Sequence, residues 1–236
     1  MSDPNQTRRR LLVAAPTILI GGISAQTVFA KGDDDEKSVT ATEDLMREHG
    51  VLRRILLVYR EAAQRIAQNP GSVDPKPLYQ AAQLFTYFGE QYHEKAVEEP
   101  LVFPVVRKAG GPAAAYVDTL IKQHDRGRDV TGYILSVLRK GKVQIGDAPS
   151  LTGALNAMDL MYENHTARED TVVFPAFKAA LSPTQYQDMS EKFEDIEHKL
   201  VSRPDYEAAL KQITAIEQTL GFADLAQFTA PQPPKL

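Results

Sequence analysis

The sequence predicts an all-α protein, an antiparallel up-down four-helix bundle with two additional C-terminal helices. Three observations carry that expectation. Apolar residues recur at three- to four-residue spacing through long stretches, proline- and glycine-rich breaks divide those stretches, and no run alternates with the two-residue period of a strand. Long helices joined by short breaks are the pattern of a bundle. Of 236 residues, 43% are hydrophobic and 25% charged, ordinary values for a globular chain.

Residues 1–30 read differently. Arg8, Arg9 and Arg10 precede an apolar stretch from Leu11 to Ile23, interrupted by Pro16 and the Gly21-Gly22 pair. Val28-Phe29-Ala30 then offers small residues where a signal peptidase cuts. The stretch is too short to cross a ~30 Å hydrocarbon layer as a helix. An export signal cleaved after Ala30 is therefore expected, with membrane contact only through export. Thr7-Arg8-Arg9-Arg10-Leu11-Leu12 resembles the twin-arginine signal of bacteria, which implies a periplasmic or otherwise exported protein. Residues 31–39, with Asp33, Asp34, Asp35 and Glu36, form an acidic linker.

The bundle is expected over 40–181. Thr40 and Glu43 have the spacing of a capping box, and Leu45, Leu52, Leu56 and Tyr59 follow on one stripe to about Gln68. After the Asn69-Pro70-Gly71-Ser72 break, a second helix runs from about Pro77 to Gly110, with Leu78, Ala82, Phe85 and Gly89 on its stripe. A third starts near Pro112 and carries Val117, Leu120, Ile121, Thr131, Leu135 and Leu138 until Gly141. The fourth begins near Ser150, with Leu151, Leu155, Met158 and Met161 inward, and ends near Leu181. Ser182-Pro183 places an N-cap before a proline at the first helical position and starts a fifth helix to about Val201. Arg203-Pro204-Asp205 starts a sixth that ends at Gly221, so 182–222 holds the two added helices and 223–236 is a proline-rich tail.

Charge and composition narrow the chemistry. With 27 basic and 31 acidic residues the net charge is −4, which argues against nucleic acid as a partner. The absence of cysteine removes disulfides, thiolate metal sites and cysteine nucleophiles together. A metal site in this chain must use imidazole and carboxylate, which suits iron, manganese or zinc.

Four of the five histidines fall on the four apolar stripes. His49 lies between Leu45 and Leu52, His93 follows Phe85 and Gly89, His124 follows Val117 and Ile121, and His165 follows Met158 and Met161. Each bundle helix thus sends one imidazole into a shared core. Buried separately, their nitrogens would each need a partner; metal ions satisfy them together. Glu169, four residues after His165, lies on the same face one turn along, while Asp170 points to the side, into solvent or towards a ligand's outer edge. In helix two the position four after His93 is Val97, which cannot ligate.

An internal repeat resolves that difficulty. Glu98-Glu99-Pro100-Leu101-Val102-Phe103-Pro104 aligns without gaps on Glu169-Asp170-Thr171-Val172-Val173-Phe174-Pro175, matching Glu98 to Glu169. In an unbroken α-helix Glu98 would lie about 140° around from His93. A one-residue insertion absorbed as a π-bulge brings it back, helped by Pro100, which has no N–H for the carbonyl of Ala96. Glu98, and neither Glu94 nor Glu99, is the expected carboxylate of helix two. Helices one–two and three–four read as two copies of one hairpin.

One histidine on the first helix, His-x4-Glu before Phe-Pro on the second, one histidine on the third and His-x3-Glu on the fourth resemble the hemerythrin-like (HHE cation-binding) family over residues 40–181. The resemblance implies two non-haem iron ions in a four-helix bundle, with manganese or zinc as alternatives. It implies that His49, His93, His124 and His165 are terminal ligands and that Glu98 and Glu169 bridge. It implies a small diatomic ligand, oxygen or nitric oxide, bound for sensing, scavenging or carriage. The alternative is an enzyme that decomposes peroxide or oxidises ferrous iron. Oxygen carriers of the family have a second histidine one turn after the third-helix histidine; here that position is Arg128, expected as an ion-paired or solvated residue. Tyr92 and Tyr162 flank the ligands as core phenols or hydrogen-bond donors, and His198 lies beyond the bundle.

Overall fold

The computed structural model describes residues 39–199 and 205–234. The expected export signal and nearly all of the acidic linker lie outside the described residues.

Helix α1 spans Ala41–Gln68. Thr40 is its N-cap residue but makes no side-chain cap, so the expected box with Glu43 does not form. Tertiary partners take the orphan amides of the first turn instead: Ala41 N–H donates to Ser190 Oγ at 2.9 Å and Thr42 N–H to Tyr186 Oη at 3.1 Å. The second helix, α2, is continuous through three segments. Pro75–Leu84 is α-helical, Phe85–Val102 is a π-helix of 18 residues, and Phe103–Ala109 is α-helical again. It begins two residues before the expected Pro77 because Asp74 caps it, accepting from Lys76 N–H at 2.9 Å.

Gly110 and Gly111, at φ 75° and 73°, reverse the chain in a region that side chains with a Cβ avoid. Helix α3 follows at Gly111–Leu138. Helix α4 comprises Ala148–Arg168, a π turn at Glu169–Val173 and Phe174–Ala179. Before α5 (Pro183–Lys199) a reciprocal box does form, with Gln185 N–H donating to Ser182 Oγ and Ser182 N–H to Gln185 Oε1. Helix α6 spans Tyr206–Leu220, with Asp205 capping Ala208 N–H and Gly221 closing it at φ 73°. After α6, Leu225–Phe228 forms a 3₁₀ turn.

Helices α1 and α4 pack along most of their length, α2 lies against α1 and α3, and α3 against α4, which closes a four-helix bundle. Leu45, Leu52, Leu56, Tyr59, Phe85, Leu120, Leu151, Leu155 and Met158 are all buried, whereas Ile121, Leu135 and Met161 are half-buried at the seams. The added helices cover the outside. Phe193 of α5 stacks on Phe177 with ring centroids 6.4 Å apart. Arg54 of α1 holds α6 through Glu217 and Thr214. Among the described residues no helix is long and apolar enough to cross a membrane.

Candidate metal centre

Helix geometry decides which acids reach the core. In a π-helix the backbone bonds run from residue i to i+5, so residues five apart come round to one face. Phe103 N–H donates to the carbonyl of Glu98 in that pattern, and His93 and Glu98 therefore share a face. The register break expected near Glu98 is present, but it extends over 18 residues rather than one turn. At the C-terminal end of the segment Pro100 and Pro104 have no N–H to donate, so the α-pattern bonds to Ala96 and Pro100 cannot form there. The π turn in α4 was not foreseen. Phe174 N–H donates to Glu169 O there, as Phe103 does to Glu98, and Pro175 sits where Pro104 does. The repeated Val-Phe-Pro was its signal.

All six expected residues meet in the bundle core. His49, His93, Glu98, His124, His165 and Glu169 are each at most 3% exposed. The imidazoles form two pairs. Nε2 of His49 lies 3.0 Å from Nε2 of His93, and Nε2 of His124 lies 3.1 Å from Nε2 of His165. Glu98 spans the pairs, with Oε1 at 3.3 Å from His93 and Oε2 at 3.4 Å from His124. Glu169 spans the other side, with Oε2 at 3.0 Å from His165 and 3.5 Å from His49. Phe174 stacks on His49 and Phe103 on His124, at 5.3 and 5.6 Å between centroids.

The opposite nitrogen of every imidazole is held from outside. His93 Nδ1 lies 2.5 Å from Glu48, His124 Nδ1 3.1 Å from Glu99, His165 Nδ1 2.9 Å from Gln123 Oε1, and His49 Nδ1 2.7 Å from Asp170. These partners run in a ring: α1 holds the histidine of α2, α2 that of α3, α3 that of α4, and α4 that of α1. Oxygen acceptors hold each Nδ1, and this orients every Nε2 toward the centre. Imidazole nitrogens facing each other at 3.0 and 3.1 Å need a shared cation between them, a proton or a metal ion. All four oxygens of Glu98 and Glu169 are buried without a hydrogen-bond partner, which is costly for a carboxylate unless an ion takes them. Glu98, His124, His165 and Glu169 offer donor atoms within 4.8 Å of one another, as do His49, His93 and Glu98. The donor set of imidazole and carboxylate fits iron, manganese or zinc.

Burial works to raise the Glu98 carboxyl, but the His93 and His124 imidazoles outweigh it and hold Glu98 well below the usual carboxylate range. Burial opposes charge on His124 as well, yet Glu94, Glu98 and Glu99 around it bring it up to about 10.

A second layer surrounds the pair on α3 and α4. Arg128 donates to Glu94 at 2.9 Å, Glu99 at 3.0 Å and Asp125 at 2.8 Å, so it is ion-paired as expected. Glu94, Glu99 and His124 also form a cluster that could hold a cation, and the guanidinium of Arg128 already serves it. Tyr162 Oη donates to Glu94 at 2.7 Å, whereas the buried Tyr92 hydroxyl has no partner. His198 is exposed on α5, away from the centre. Gly127 makes the Tyr162 bond possible, because a Cβ there would come 2.1 Å from Tyr162 Oη. Gly127→Ala is expected to push the phenol off Glu94 and to cost about 1–3 kcal/mol by overpacking. Thermal unfolding measures that cost, and it should shrink in a Tyr162→Phe background, where the closest contact is gone.

Glu48, Gln123 and the bond from Glu99 to His124 were missed by sequence reasoning. A signal existed: Glu48 and Gln123 each precede a core histidine, while Glu99 and Asp170 each follow a core glutamate. A neighbour in sequence is turned aside by about 100° on a helix, towards the histidine of the next helix.

A family model described as the hemerythrin HHE cation binding domain matches residues 40–177. The chain is also similar to two curated mycobacterial proteins, uncharacterized protein Rv1995 of Mycobacterium tuberculosis and uncharacterized protein Mb2018 of Mycobacterium bovis. Each is 41% identical over 199 residues, covering 83% of this chain and 76% of the relative. No solved structure matches significantly. A bundle with a buried cluster of histidines and glutamates at its core, matched over most of its length by that model, belongs to the hemerythrin HHE cation-binding family.

Proposed function

We propose that His49, His93, Glu98, His124, His165 and Glu169 hold two iron ions and that the centre binds a small diatomic molecule, oxygen or nitric oxide, for sensing, scavenging or carriage. The observation that supports this most is the facing pairs of Nε2 atoms, flanked by two buried carboxylates whose oxygens have no hydrogen-bond partner. Four imidazoles and two carboxylates would be shared between the two ions, so each would have few protein donors. Non-haem iron sites with few protein donors keep positions open for an external ligand. The metal pair would supply the redox chemistry; the chain excludes water through the aromatic shell of Phe103, Phe174 and Tyr162, and orients the imidazoles through their Nδ1 partners.

A second reading, peroxide decomposition or ferrous oxidation, is favoured by Tyr162, Glu94 and Arg128. They place a phenolic proton, a buried carboxylate and a cation beside His165 and His124. Anaerobic loading with ferrous iron followed by optical spectra separates the two. Stable spectral change with oxygen or nitric oxide and no peroxide turnover supports the first; peroxide turnover without a stable adduct supports the second.

The arginine pair near the N-terminus supports a further part of the reading, that folded, metal-loaded protein is exported. A site drawing donors from four helices exists only after folding, so export of folded protein lets metal be chosen beforehand. Replacing Arg8 and Arg9 with Lys together should leave the protein in the cytoplasm with its metal content unchanged. Continued export by the general secretory route would show the pair to be incidental.

A further inference from the structure

The two hairpins of the bundle repeat one another around the centre, and the repeat includes the outer partners. Asp170 holds His49 and is itself held by Arg53; Glu99 holds His124 and is held by Arg128. Arg53 and Arg128 each follow their own helix's histidine by four residues. Among the residues bonded to an imidazole Nδ1, the match breaks at one pair of equivalent positions. Glu48, immediately before His49, accepts from His93, whereas Gln123, immediately before His124, accepts from His165. The first is a carboxylate 2% exposed, and the second is a neutral amide.

A carboxylate on Nδ1 draws the proton towards itself and raises the basicity of Nε2; an amide oxygen does so less. Glu94 brings an additional carboxylate to the second half, but its oxygens are taken by Tyr162 and Arg128 and not by an imidazole. Both histidines of α1 and α2 are backed by carboxylates, and only one of the two on α3 and α4 is. Resting on the two-metal reading above, we infer that the halves are unequal: the ion beside His49 and His93 binds first and more tightly, and the ion beside His124 and His165 is the labile one, with Gln123 setting the difference.

The test is an anaerobic calorimetric titration of metal-free protein with ferrous iron, with circular dichroism to verify folding. Outer partners of metal-bound histidines are worth about 10–100-fold in affinity, so wild type should show two steps separated by about tenfold or more. Gln123→Glu should tighten the weaker step and merge the two; Glu48→Gln should weaken the tighter step and also merge them. The double exchange should restore two steps in reversed order. Anomalous scattering from crystals given one equivalent of iron should then move from the His49–His93 pair to the His124–His165 pair. Two ions bound in equal steps by wild type, or a gap unchanged by Gln123→Glu, overturns the inference and leaves the two-metal reading standing. Fewer than two ions bound by wild type defeats the reading itself.

Discussion

Glu98→Ala is expected to weaken both metal positions at once, because Glu98 is the carboxylate that faces His93 with one oxygen and His124 with the other. Losing a donor directly on the ions should exceed the 10–100-fold attached to an outer partner, and iron analysis after gel filtration should find less than one ion per chain. Glu99→Ala should act on one position only. Sequence spacing alone puts Glu99 aside from the site and predicts little effect; its bond to His124 Nδ1 changes that to a loss of about 10–100-fold at the α3–α4 position. Equal metal content in Glu98→Ala and wild type would remove Glu98 from the centre.

The second large effect is on stability. Ions that bind only the folded state stabilise it by linkage, by about 2.7 kcal/mol for each site at a free metal concentration one hundred times Kd. For a domain of this size that is roughly 5–10 °C in Tm per site. Chelation should lower the melting temperature accordingly, and His49→Ala and His165→Ala should each lose about half of that difference together with one ion. A melting temperature that chelation leaves untouched would contradict the account.

The bundle was legible because its signal is repetitive. Stripes such as Leu45–Leu52–Leu56–Tyr59 each needed only a count of spacing, and Ser182-Pro183 and Asp205 marked real helix starts. The histidines were legible for the same reason, since one on each stripe leaves no other direction to face. The failures have physical causes. Thr40 and Glu43 match a capping pattern, but Ser190 and Tyr186 from α5 serve the neighbouring amides of Ala41 and Thr42, and long-range partners leave no trace in local spacing. The insertion between His93 and Glu98 marks where the register changes in α2 but not that the π segment reaches back to Phe85. The ring of Nδ1 partners joins residues on neighbouring helices, so it follows only from the way those helices are rotated against each other.

We propose two metal ions between the two histidine pairs, sharing Glu98 and Glu169. Anomalous diffraction at the iron edge from crystals of the fully loaded protein tests it most directly. Two peaks are expected, one beside His49 and His93 and one beside His124 and His165, each also next to Glu98 and Glu169. A single peak, or a peak displaced to the Glu94–Glu99 cluster with the histidine pairs left free, would contradict it.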